Sequence, residues 1–401
     1  MKYSVITFGC RVNQADSLAI EAELQARGGI SVASGDADLV IVNTCSVTAS
    51  ADQGARQTIR RVARENPGAR IVATGCYATR CADEVAALPG VASVVPNRDK
   101  ETMTFVARLV DPAALELSAT EGPCGRPLTP GLMGRTAWTL RVQTGCEESC
   151  SYCIIPSTRG PGRSRTRSDI RAEVARVIEA GYREMVVTGV HLGSYGRDLH
   201  PCSSLIELLR ELVDTSALVR ISSLEPMDFP LGVLELPCAP HFHLPLQHAS
   251  NRILRAMNRP YTIEFYRTLV DRVRHCLPHA AIGSDVIAGF PGETAEDFDE
   301  LRRYLEHSPL THLHVFPYSD RPGTVASRLP GRVHGSVIKE RAQQLRAISR
   351  ELNERFRESQ RGARRPALTI EDGSMAVTDN YFRVRVPGGH FRNEWIEAEI
   401  A

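Results

Sequence analysis

Short apolar runs alternate with amphipathic stretches along roughly the first 110 residues of the chain. Apolar runs of this length, set between turn residues, favour buried strands, whereas the longer amphipathic stretches favour helices. The predicted strands are residues 3–8, 38–43, 70–74 and 91–95, and the predicted helices are residues 14–27, 49–64, 80–88 and 99–110. This alternation with short connections predicts an α/β domain built on a parallel sheet.

A second alternating series begins at Trp138. Its predicted strands are residues 139–143, 184–188, 219–222, 241–244, 281–287 and 312–316, with helices in the intervals. Six βα units predict a partial barrel, because eight units close a complete one. A long arginine-rich helix is predicted to follow, at about residues 336–360.

Near the end of the chain, the spacing of apolar residues changes to that of short strands. A proline-rich stretch separates the two alternating series. Short strands predicted at residues 367–370, 375–378, 381–386 and 395–400 indicate a small β module. Residues 111–135 are rich in proline and glycine and fit neither a helix nor a strand. The predicted domains are an α/β domain at 1–115, a linker at 116–136, a barrel at 137–358 and the β module at 359–401.

The composition favours a globular protein without a membrane-spanning segment. Hydrophobic residues make up 42% and charged residues 24% of the 401 residues, which is an ordinary globular balance. No uninterrupted apolar run reaches the roughly 18 residues of a membrane span, and the N-terminus lacks the apolar core of a signal peptide. We therefore expect a cytoplasmic protein with no membrane partner.

The charge pattern leaves two interpretations open. The net charge of +1 does not by itself indicate a polyanionic partner. All but three of the 48 basic residues are arginines, however. A GC-rich coding bias would explain the total, whereas bidentate phosphate recognition by guanidinium groups would explain local clusters.

Three of the eleven cysteines follow the first strand of the second series, with gaps of three and two residues. These are Cys146, Cys150 and Cys153. Cysteine thiolates hold iron–sulfur clusters, normally four to a cubane, so three on one loop would leave one iron open for a substrate. A zinc site is the alternative, although closed zinc sites use four ligands, usually in two pairs.

Three further cysteines each follow a predicted strand of the first series. Because the carboxyl ends of neighbouring parallel strands meet at one edge, Cys10, Cys45 and Cys76 are predicted to lie together. Glycines before Cys10 and Cys76 would let the backbone approach closely. These residues therefore predict a second metal or cluster site, the alternative being three buried cysteines without a ligand.

The motif Cys146-x3-Cys150-x2-Cys153, with the aromatic Tyr152 before the last cysteine, resembles the signature of the radical S-adenosylmethionine superfamily. The resemblance implies that the methionyl amine and carboxylate of S-adenosylmethionine bind the open iron. One electron from the reduced cluster would then cleave a carbon–sulfur bond and give a 5′-deoxyadenosyl radical. The protein would bind and orient the cofactor and exclude water.

With the N-terminal cysteines included, residues 1–355 resemble the methylthiotransferase family, which carries two [4Fe-4S] clusters. The matching segments are residues 9–13 with Asp16 and Ser17, then residues 42–45 and 74–76. In that family the open iron of the second cluster carries the sulfur that is methylated and inserted. The resemblance makes the metal-binding and catalytic residues Cys10, Cys45, Cys76, Cys146, Cys150 and Cys153.

Further residues at strand ends of the barrel match cofactor contacts of this family. The segment 285–294 follows a strand and opens a helix, for which Thr294 is a predicted cap. An ordinary strand–helix turn is the alternative interpretation. The predicted cofactor-binding residues are Tyr152, Ser222, Glu225, Gln247, Gly289, Pro291, Gly292 and Glu293. His248 and Ala249 depart from the Ser-Gly of many relatives.

Two groups of arginines are candidate phosphate contacts, with a solvated charged surface as the alternative. The first comprises Arg159, Arg163, Arg165 and Arg167. The second comprises Arg361, Arg364 and Arg365, expected to be unpaired at the end of a helix whose other charges alternate. The C-terminal module resembles a short TRAM domain, a small β-barrel that binds RNA.

The resemblance leaves the substrate to be chosen among three branches. Residues 8–16 and 188–196 look most like the branch that modifies N6-threonylcarbamoyladenosine beside the tRNA anticodon, at adenine C2. Isopentenyladenosine of tRNA and an aspartate of a small-subunit ribosomal protein are the alternatives, and residues 247–250 look more like the ribosomal branch. The implied partners are tRNA, a sulfur donor and an electron donor such as flavodoxin or ferredoxin. A non-catalytic RNA-binding protein with iron or zinc is the alternative from another class.

Overall fold

The computed structural model describes residues 1–100, 129–131 and 134–401. The described chain forms two compact units. The first contains residues 1–100 together with 144–148 and 153–161, and the second contains the remaining described residues. Most of the predicted linker and of the helix predicted at 99–110 lies outside the described residues.

The first unit is built on a five-stranded parallel sheet. Its strands are β1 (Lys2–Thr7), β2 (Ile30–Ser31), β3 (Leu39–Thr44), β4 (Arg70–Gly75) and β5 (Val91–Val95). Their order in the sheet is β2-β1-β3-β4-β5, so β3 and β4 are central and almost wholly buried. This confirms the predicted α/β class and adds the short strand β2.

Helices pack on this sheet through apolar side chains such as Ile59 and Val62, which lie in one core with Val40 and Val42. The helices are α1 (Arg11–Ala26), α2 (Ala49–Glu65), α3 (Cys76–Arg80), α4 (Ala82–Ala86), α5 (Asn97–Lys100) and α6 (Ile155–Arg159). The helix predicted at 80–88 is present as α4, which is shorter at both ends, whereas α3 was not predicted. Two short helices meet there at Cys81, whose φ of −127° and ψ of 53° interrupt the helical backbone.

The second unit contains six parallel strands in two sheets. They are β6 (Trp138–Arg141), β9 (Glu184–Thr188), β10 (Leu218–Ile221), β11 (His241–His243), β12 (Ala281–Ala288) and β13 (His312–Pro317), with the short strands β7 (Gln143–Thr144) and β8 (Arg163–Ser164) between the first two. The orders are β10-β9-β6 and β11-β12-β13, and a parallel bridge from Ser223 to His243 connects the sheets. This confirms the predicted partial barrel.

The helices of the second unit begin at side-chain caps, except the short helix that follows Ser250. They are α7 (Arg167–Glu179), α8 (Leu205–Val213), α9 (Asn251–Ala256), α10 (Ile263–Cys276), α11 (Ala295–His307) and α12 (Gly335–Gln360). Short 3₁₀ turns occur at Ser34–Asp36, Leu192–Ser194, Pro226–Asp228, Leu231–Glu235 and Ala326–Arg328. Thr294 caps α11 as predicted, in a reciprocal capping box with Asp297.

The C-terminal strands form an antiparallel sheet. They are β14 (Arg364–Ile370), β15 (Met375–Thr378), β16 (Arg383–Arg385) and β17 (Trp395–Glu399), in the order β16-β15-β14-β17. Their core also takes in Ala281 of the barrel and Phe356 of α12. Among the described helices, none combines the length and the apolar character needed to cross a membrane.

Candidate cluster and cofactor sites

The N-terminal cysteines lie where the topology predicts. Cys10 immediately precedes α1, Cys45 follows β3, and Cys76 is the first residue of α3, directly after β4. Because β1, β3 and β4 are neighbours, the structure brings the three thiols to one edge of the sheet, close enough for the thiol groups of Cys10 and Cys76 to interact electrostatically with that of Cys45. Burial, together with the neighbouring thiols of Cys10 and Cys76, raises the pKa of Cys45 to about 12.

A glycine before Cys10 makes this close approach possible. Gly9 has a φ of +87°, and a Cβ atom there would lie 2.5 Å from the Sγ atom of Cys45. Any larger residue would therefore be strained and would also displace a thiol. The predicted role of the small neighbour is confirmed at this position.

Asparagine side chains hold the loops that carry these thiols. Asn13 donates from Nδ2 to the carbonyl oxygen of Thr44 at 2.7 Å, and Asn43 donates back to the carbonyl oxygen of Asn13 at 2.8 Å. The Nδ2 atom of Asn97 lies 3.6 Å from the Sγ atom of Cys76 and donates to it. These buried polar groups orient the cysteine loops, because each would lose a partner if the loops moved.

Two buried cations accompany the N-terminal thiols. The Nζ atom of Lys100 and the Nη2 atom of Arg159 lie 2.7 Å and 3.1 Å from the same Asp16 Oδ2 atom. All three side chains are at most 3% exposed. Arg159 also interacts electrostatically with Cys76 and Cys10. Two cations against one carboxylate leave positive charge beside the thiols, which suits an anionic bound group.

Sequence analysis did not single out Lys100 as a site residue. Its charged form is buried, so desolvation lowers the pKa of Lys100 while the charge of Asp16 opposes that shift. The available signal was compositional, since the chain has only three lysines among 48 basic residues. Which of the three is buried depends on tertiary packing.

Local hydrogen bonds shape the loop that carries the other three cysteines. The backbone N–H of Cys146 donates to the carbonyl oxygen of Gly160 at 3.0 Å. The Sγ atoms of Cys146 and Cys153 accept from backbone N–H groups two residues further along, at 3.4 Å and 3.5 Å. Backbone N–H groups directed at sulfur stabilise the thiolate form. The three thiol groups on this loop therefore fit an iron–sulfur cluster.

Arg259 is a site residue that the sequence analysis missed. Its Nη1 atom donates to the Sγ atom of Cys150 at 3.2 Å, and its Nε atom donates to the Tyr261 hydroxyl at 3.2 Å. The same guanidinium donates to Glu225 through Nη2. Glu225, predicted as a cofactor contact, is therefore bound to the cation that contacts Cys150. The Arg259 side chain is 2% exposed.

The predicted turn after β12 is present, with φ values of 79° at Gly289 and 83° at Gly292. The carboxylate of Glu293 accepts from the backbone N–H groups of Gly289 and Phe290, at 2.8 Å and 3.3 Å, and from Arg341 at 2.6 Å. It is fully buried. Glu293 therefore shapes the turn, and its predicted role as a cofactor contact stays a prediction. Pro291 is buried in the same turn.

The remaining predicted cofactor residues lie at strand ends of the barrel. Ser222 directly follows β10, and its buried hydroxyl has no hydrogen-bond partner among the described residues. Gln247 adopts a φ of +68° and donates its backbone N–H to the carbonyl oxygen of Asp285. Tyr152 packs on a core that contains Ile253. The role of Ser222 and Gln247 as cofactor contacts stays a prediction.

The arginines proposed as phosphate contacts divide by burial. Arg159 belongs to the buried ion pair with Asp16, so it is not a surface contact, which corrects that prediction. Arg165 lies 2.5 Å from Glu173, and Arg167 pairs with Glu211. Arg163 is exposed and remains a candidate.

The arginines at the end of α12 are paired, contrary to the prediction. Arg361 pairs with Glu358 at 2.7 Å, and Arg364 lies 3.8 Å from Glu399. Arg365 donates to both carboxylate oxygens of Asp379, at 2.6 Å and 2.7 Å. Two of these acids come from the β module, so local sequence could not reveal the pairing.

Family models match both units of the chain. Residues 2–96 match the uncharacterized protein family UPF0004, and residues 140–305 match the radical SAM superfamily. The chain is 35% identical over 410 residues to the threonylcarbamoyladenosine tRNA methylthiotransferase MtaB of Bacillus subtilis, covering 95% of this chain and 89% of that protein. It is 36% identical to MtaB of Aquifex aeolicus, covering 97% of each. The chain belongs to the radical S-adenosylmethionine methylthiotransferase family.

Another branch of this family has a similar level of identity. The tRNA-2-methylthio-N(6)-dimethylallyladenosine synthase of Thermobifida fusca is 36% identical over 369 residues, covering 88% of this chain and 74% of that protein. Among solved structures, the radical S-adenosylmethionine methyltransferase TsrM of Kitasatospora setae shares the fold, with a TM-score of 0.58. It is 16% identical over 81% of this chain and 76% of that one. This methylthiotransferase is thus a radical S-adenosylmethionine enzyme in sequence and fold.

Proposed function

We propose that this methylthiotransferase adds a methylthio group to C2 of N6-threonylcarbamoyladenosine in tRNA. The observation that carries the proposal is the pair of separate three-cysteine sets, at Cys10, Cys45 and Cys76 and at Cys146, Cys150 and Cys153. The MtaB relatives of Bacillus subtilis and Aquifex aeolicus, similar along nearly the whole chain, support the choice of modified adenosine.

Each cysteine set would hold one [4Fe-4S] cluster by three thiolates. When bound, the clusters and S-adenosylmethionine supply a 5′-deoxyadenosyl radical at one site and an iron that carries sulfur at the other. Arg259 would donate to the thiolate of Cys150, and Glu225 would keep that guanidinium in place. At the N-terminal set, Lys100 and Arg159 would offset the negative charge of the bound group.

The remaining residues would bind the cofactor and the substrate. Ser222 and Gln247, at the ends of barrel strands, would contact S-adenosylmethionine with Tyr152 and the turn at Gly289 and Gly292. Exposed Arg163 would contact tRNA phosphate, positioning the substrate without specifying its sequence. A cytoplasmic location, a sulfur donor and an electron donor such as flavodoxin or ferredoxin belong to this proposal.

The test uses anaerobically reconstituted protein with dithionite, sulfide, S-adenosylmethionine and tRNA carrying either modified adenosine. We expect about eight iron atoms per chain, four for each cubane. We also expect 5′-deoxyadenosine and methylthiolated threonylcarbamoyladenosine by mass spectrometry. If only the tRNA that carries dimethylallyladenosine gave a product, the chain would belong to the branch that modifies dimethylallyladenosine. Absence of 5′-deoxyadenosine from intact clusters would overturn the radical mechanism.

A matched pair of cysteine variants separates the two sites. Cys10→Ala should abolish methylthiolation while 5′-deoxyadenosine is still formed, because the barrel cysteines are untouched. Cys202→Ala removes an exposed cysteine outside both sets and should leave both products unchanged. Methylthiolation by the Cys10→Ala protein at the unaltered rate would exclude the role proposed for the N-terminal site.

A further inference from the structure

Two imidazoles and one carboxylate converge on three neighbouring strands of the barrel. The Nε2 atom of His243 on β11 lies 2.8 Å from the Oδ1 atom of Asp285 on β12. The Nδ1 atom of His314 on β13 lies 3.2 Å from the same oxygen. The three ligand atoms all lie within 4.8 Å of one another. No cysteine of the two proposed cluster sets belongs to this group.

The strand register builds this arrangement. Asp285 pairs directly with His314 in the β12–β13 ladder, and His243 pairs with Gly283 in the β11–β12 ladder. Residues that alternate along a strand share one face, so Gly283 and Asp285 point the same way. Ser284 points the other way, where its hydroxyl accepts from Tyr266 of α10. The imidazoles and the carboxylate therefore lie on the face of β12 opposite α10.

Space for the imidazoles depends on the absence of a side chain at residue 283. A Cβ atom on Gly283 would lie 2.8 Å from the Nδ1 atom of His243 and would also overlap the His312 ring. The His243 and His314 rings stack with their centroids 4.8 Å apart. The strands and the stacked rings thus preorganise the three groups.

We propose that His243, Asp285 and His314 bind one divalent transition-metal ion of the zinc class. Metal–ligand bonds of roughly 2.0–2.2 Å place neighbouring ligand atoms about 3.0–3.5 Å apart, and the two separations to Asp285 agree with this within a few tenths of an ångström. Two imidazoles and one carboxylate are also a ligand set that such ions use in sites with open positions.

Solvent reaches the three side chains from the side of His314. The His314 side chain is 60% exposed, whereas those of Asp285 and His243 are 23% and 11% exposed. An ion could therefore enter past His314 and keep at least one coordination position for water or another oxygen or nitrogen donor. The site needs neither cluster, so this inference stands independently of the proposed function.

The experiment is zinc binding by the holoprotein, with both clusters reconstituted so that the cluster cysteines are occupied. After treatment with a mild chelator, equilibrium dialysis against buffered Zn²⁺ should show one zinc per chain. X-ray absorption at the zinc edge should show nitrogen and oxygen neighbours at about 2.0–2.1 Å and no sulfur at about 2.3 Å.

Two variants test the ligands, and a third serves as control. His314→Ala, at an exposed position, should weaken zinc binding by about 100-fold or more, since loss of a ligand exceeds the 10–100-fold effect of an outer-shell change. Asp285→Asn should weaken it comparably. His307→Ala removes an exposed histidine of α11 and should change nothing. Circular dichroism and the iron content of each variant would show that the fold and clusters are intact.

Three outcomes would overturn the inference. They are no zinc bound by the wild-type holoprotein, sulfur in the zinc coordination sphere, or zinc affinity unaltered in both His314→Ala and Asp285→Asn. In the first case the two histidines serve only as hydrogen-bond partners of Asp285.

Discussion

Arg259 connects a candidate cluster ligand to two other side chains through one guanidinium. Its contact with the Cys150 sulfur is a charge-assisted hydrogen bond in a buried setting. Hydrogen bonds and positive charge near the cysteine sulfurs stabilise the reduced, more negative state of an iron–sulfur cluster. The residue is therefore placed to set the potential at which the cluster accepts an electron.

Arg259→Gln should lower the midpoint potential of the barrel cluster, on the order of tens of millivolts. The reason is loss of a cation and a hydrogen bond that favour the reduced state. The measurement is a redox titration of the holoprotein followed by electron paramagnetic resonance. Arg255→Gln, at an exposed position of the preceding helix, is the matched control. An unaltered potential in Arg259→Gln would exclude this tuning role.

Asp16 is the one carboxylate shared by Lys100 and Arg159. Asp16→Asn keeps the size of the side chain but leaves two buried cations without their counter-charge. Breaking a buried pair in this way should lower the free energy of unfolding by about 3–5 kcal/mol. Denaturant unfolding of the variant and the wild-type chain checks this value.

A partly exposed ion pair provides the comparison for Asp16. Glu23 pairs with Arg27 at 2.8 Å on α1, with both side chains about a quarter exposed. Glu23→Gln should change the free energy of unfolding by no more than about 0.5 kcal/mol, because solvent screens such pairs. Equal effects of the two substitutions would mean that the Asp16 group contributes no more than a surface pair.

At the scale of elements, α11 depends on a single carboxylate at its first turn. Asp297 accepts from the Thr294 backbone and hydroxyl, from the Ser250 hydroxyl at 2.7 Å and from Arg252. Burial acts to raise the pKa of Asp297, but the hydrogen bonds from Arg252, Thr294 and Ser250 outweigh it and hold the pKa below its ordinary value. The ionised form thus stabilises the folded chain.

Asp297→Asn should lower the free energy of unfolding at pH 7 by about 1–2 kcal/mol, as loss of a cap and a charge-assisted bond implies. A lowered folded-state pKa means that this contribution is present above the unfolded-state value near pH 4 and is lost as pH falls below it. Urea unfolding of the cluster-free chain at several pH values should therefore show the variant and wild type converging in acid. Glu300→Gln, at an exposed position of α11, should change the free energy of unfolding at pH 7 by no more than about 0.5 kcal/mol.

The turn between β15 and β16 reaches into the barrel strands. The carbonyl oxygens of Asp379 and Thr378 accept from the buried Arg220 side chain at 2.9 Å and 3.4 Å, while Glu184 pairs with Arg220 at 2.6 Å. The Tyr381 ring stacks on His241 with centroids 4.3 Å apart. The β module therefore completes the packing of the barrel in addition to any role with RNA.

At the scale of the whole molecule, the barrel and the β module belong to one compact unit. A chain ending at residue 361 should therefore melt at a lower temperature than the full chain. The reason is that the Arg220–Glu184 pair and Phe356 would be exposed to solvent without the β module. Calorimetry of both holoproteins checks this expectation. Arg385→Ala, an exposed change within the module, serves as the control. Identical melting of the truncated and full chains would mean that the module folds and acts separately.

The order of elements was predictable, whereas several site contacts were not. Strand positions such as 184–188 and 70–74 agree with the structure to within one residue, because short apolar runs report on burial. The two-residue strand β2 and the interruption at Cys81 were missed, since both follow from packing on the finished sheet. The bonds from the Glu293 carboxylate to the backbone N–H groups of its own turn were also not predicted, because local sequence does not show where a side chain folds back.

The sequence by itself determined which residues stand at the carboxyl ends of the parallel strands. Strand period and parallel topology place Cys10, Cys45 and Cys76 at one edge without any knowledge of packing. Only the tertiary structure decided which charges surround them. Asp16 and Arg159 are 143 residues apart in the chain, and His243 and Asp285 are 42 apart. Such pairings have no local signal, because they arise when distant strands and loops are desolvated together.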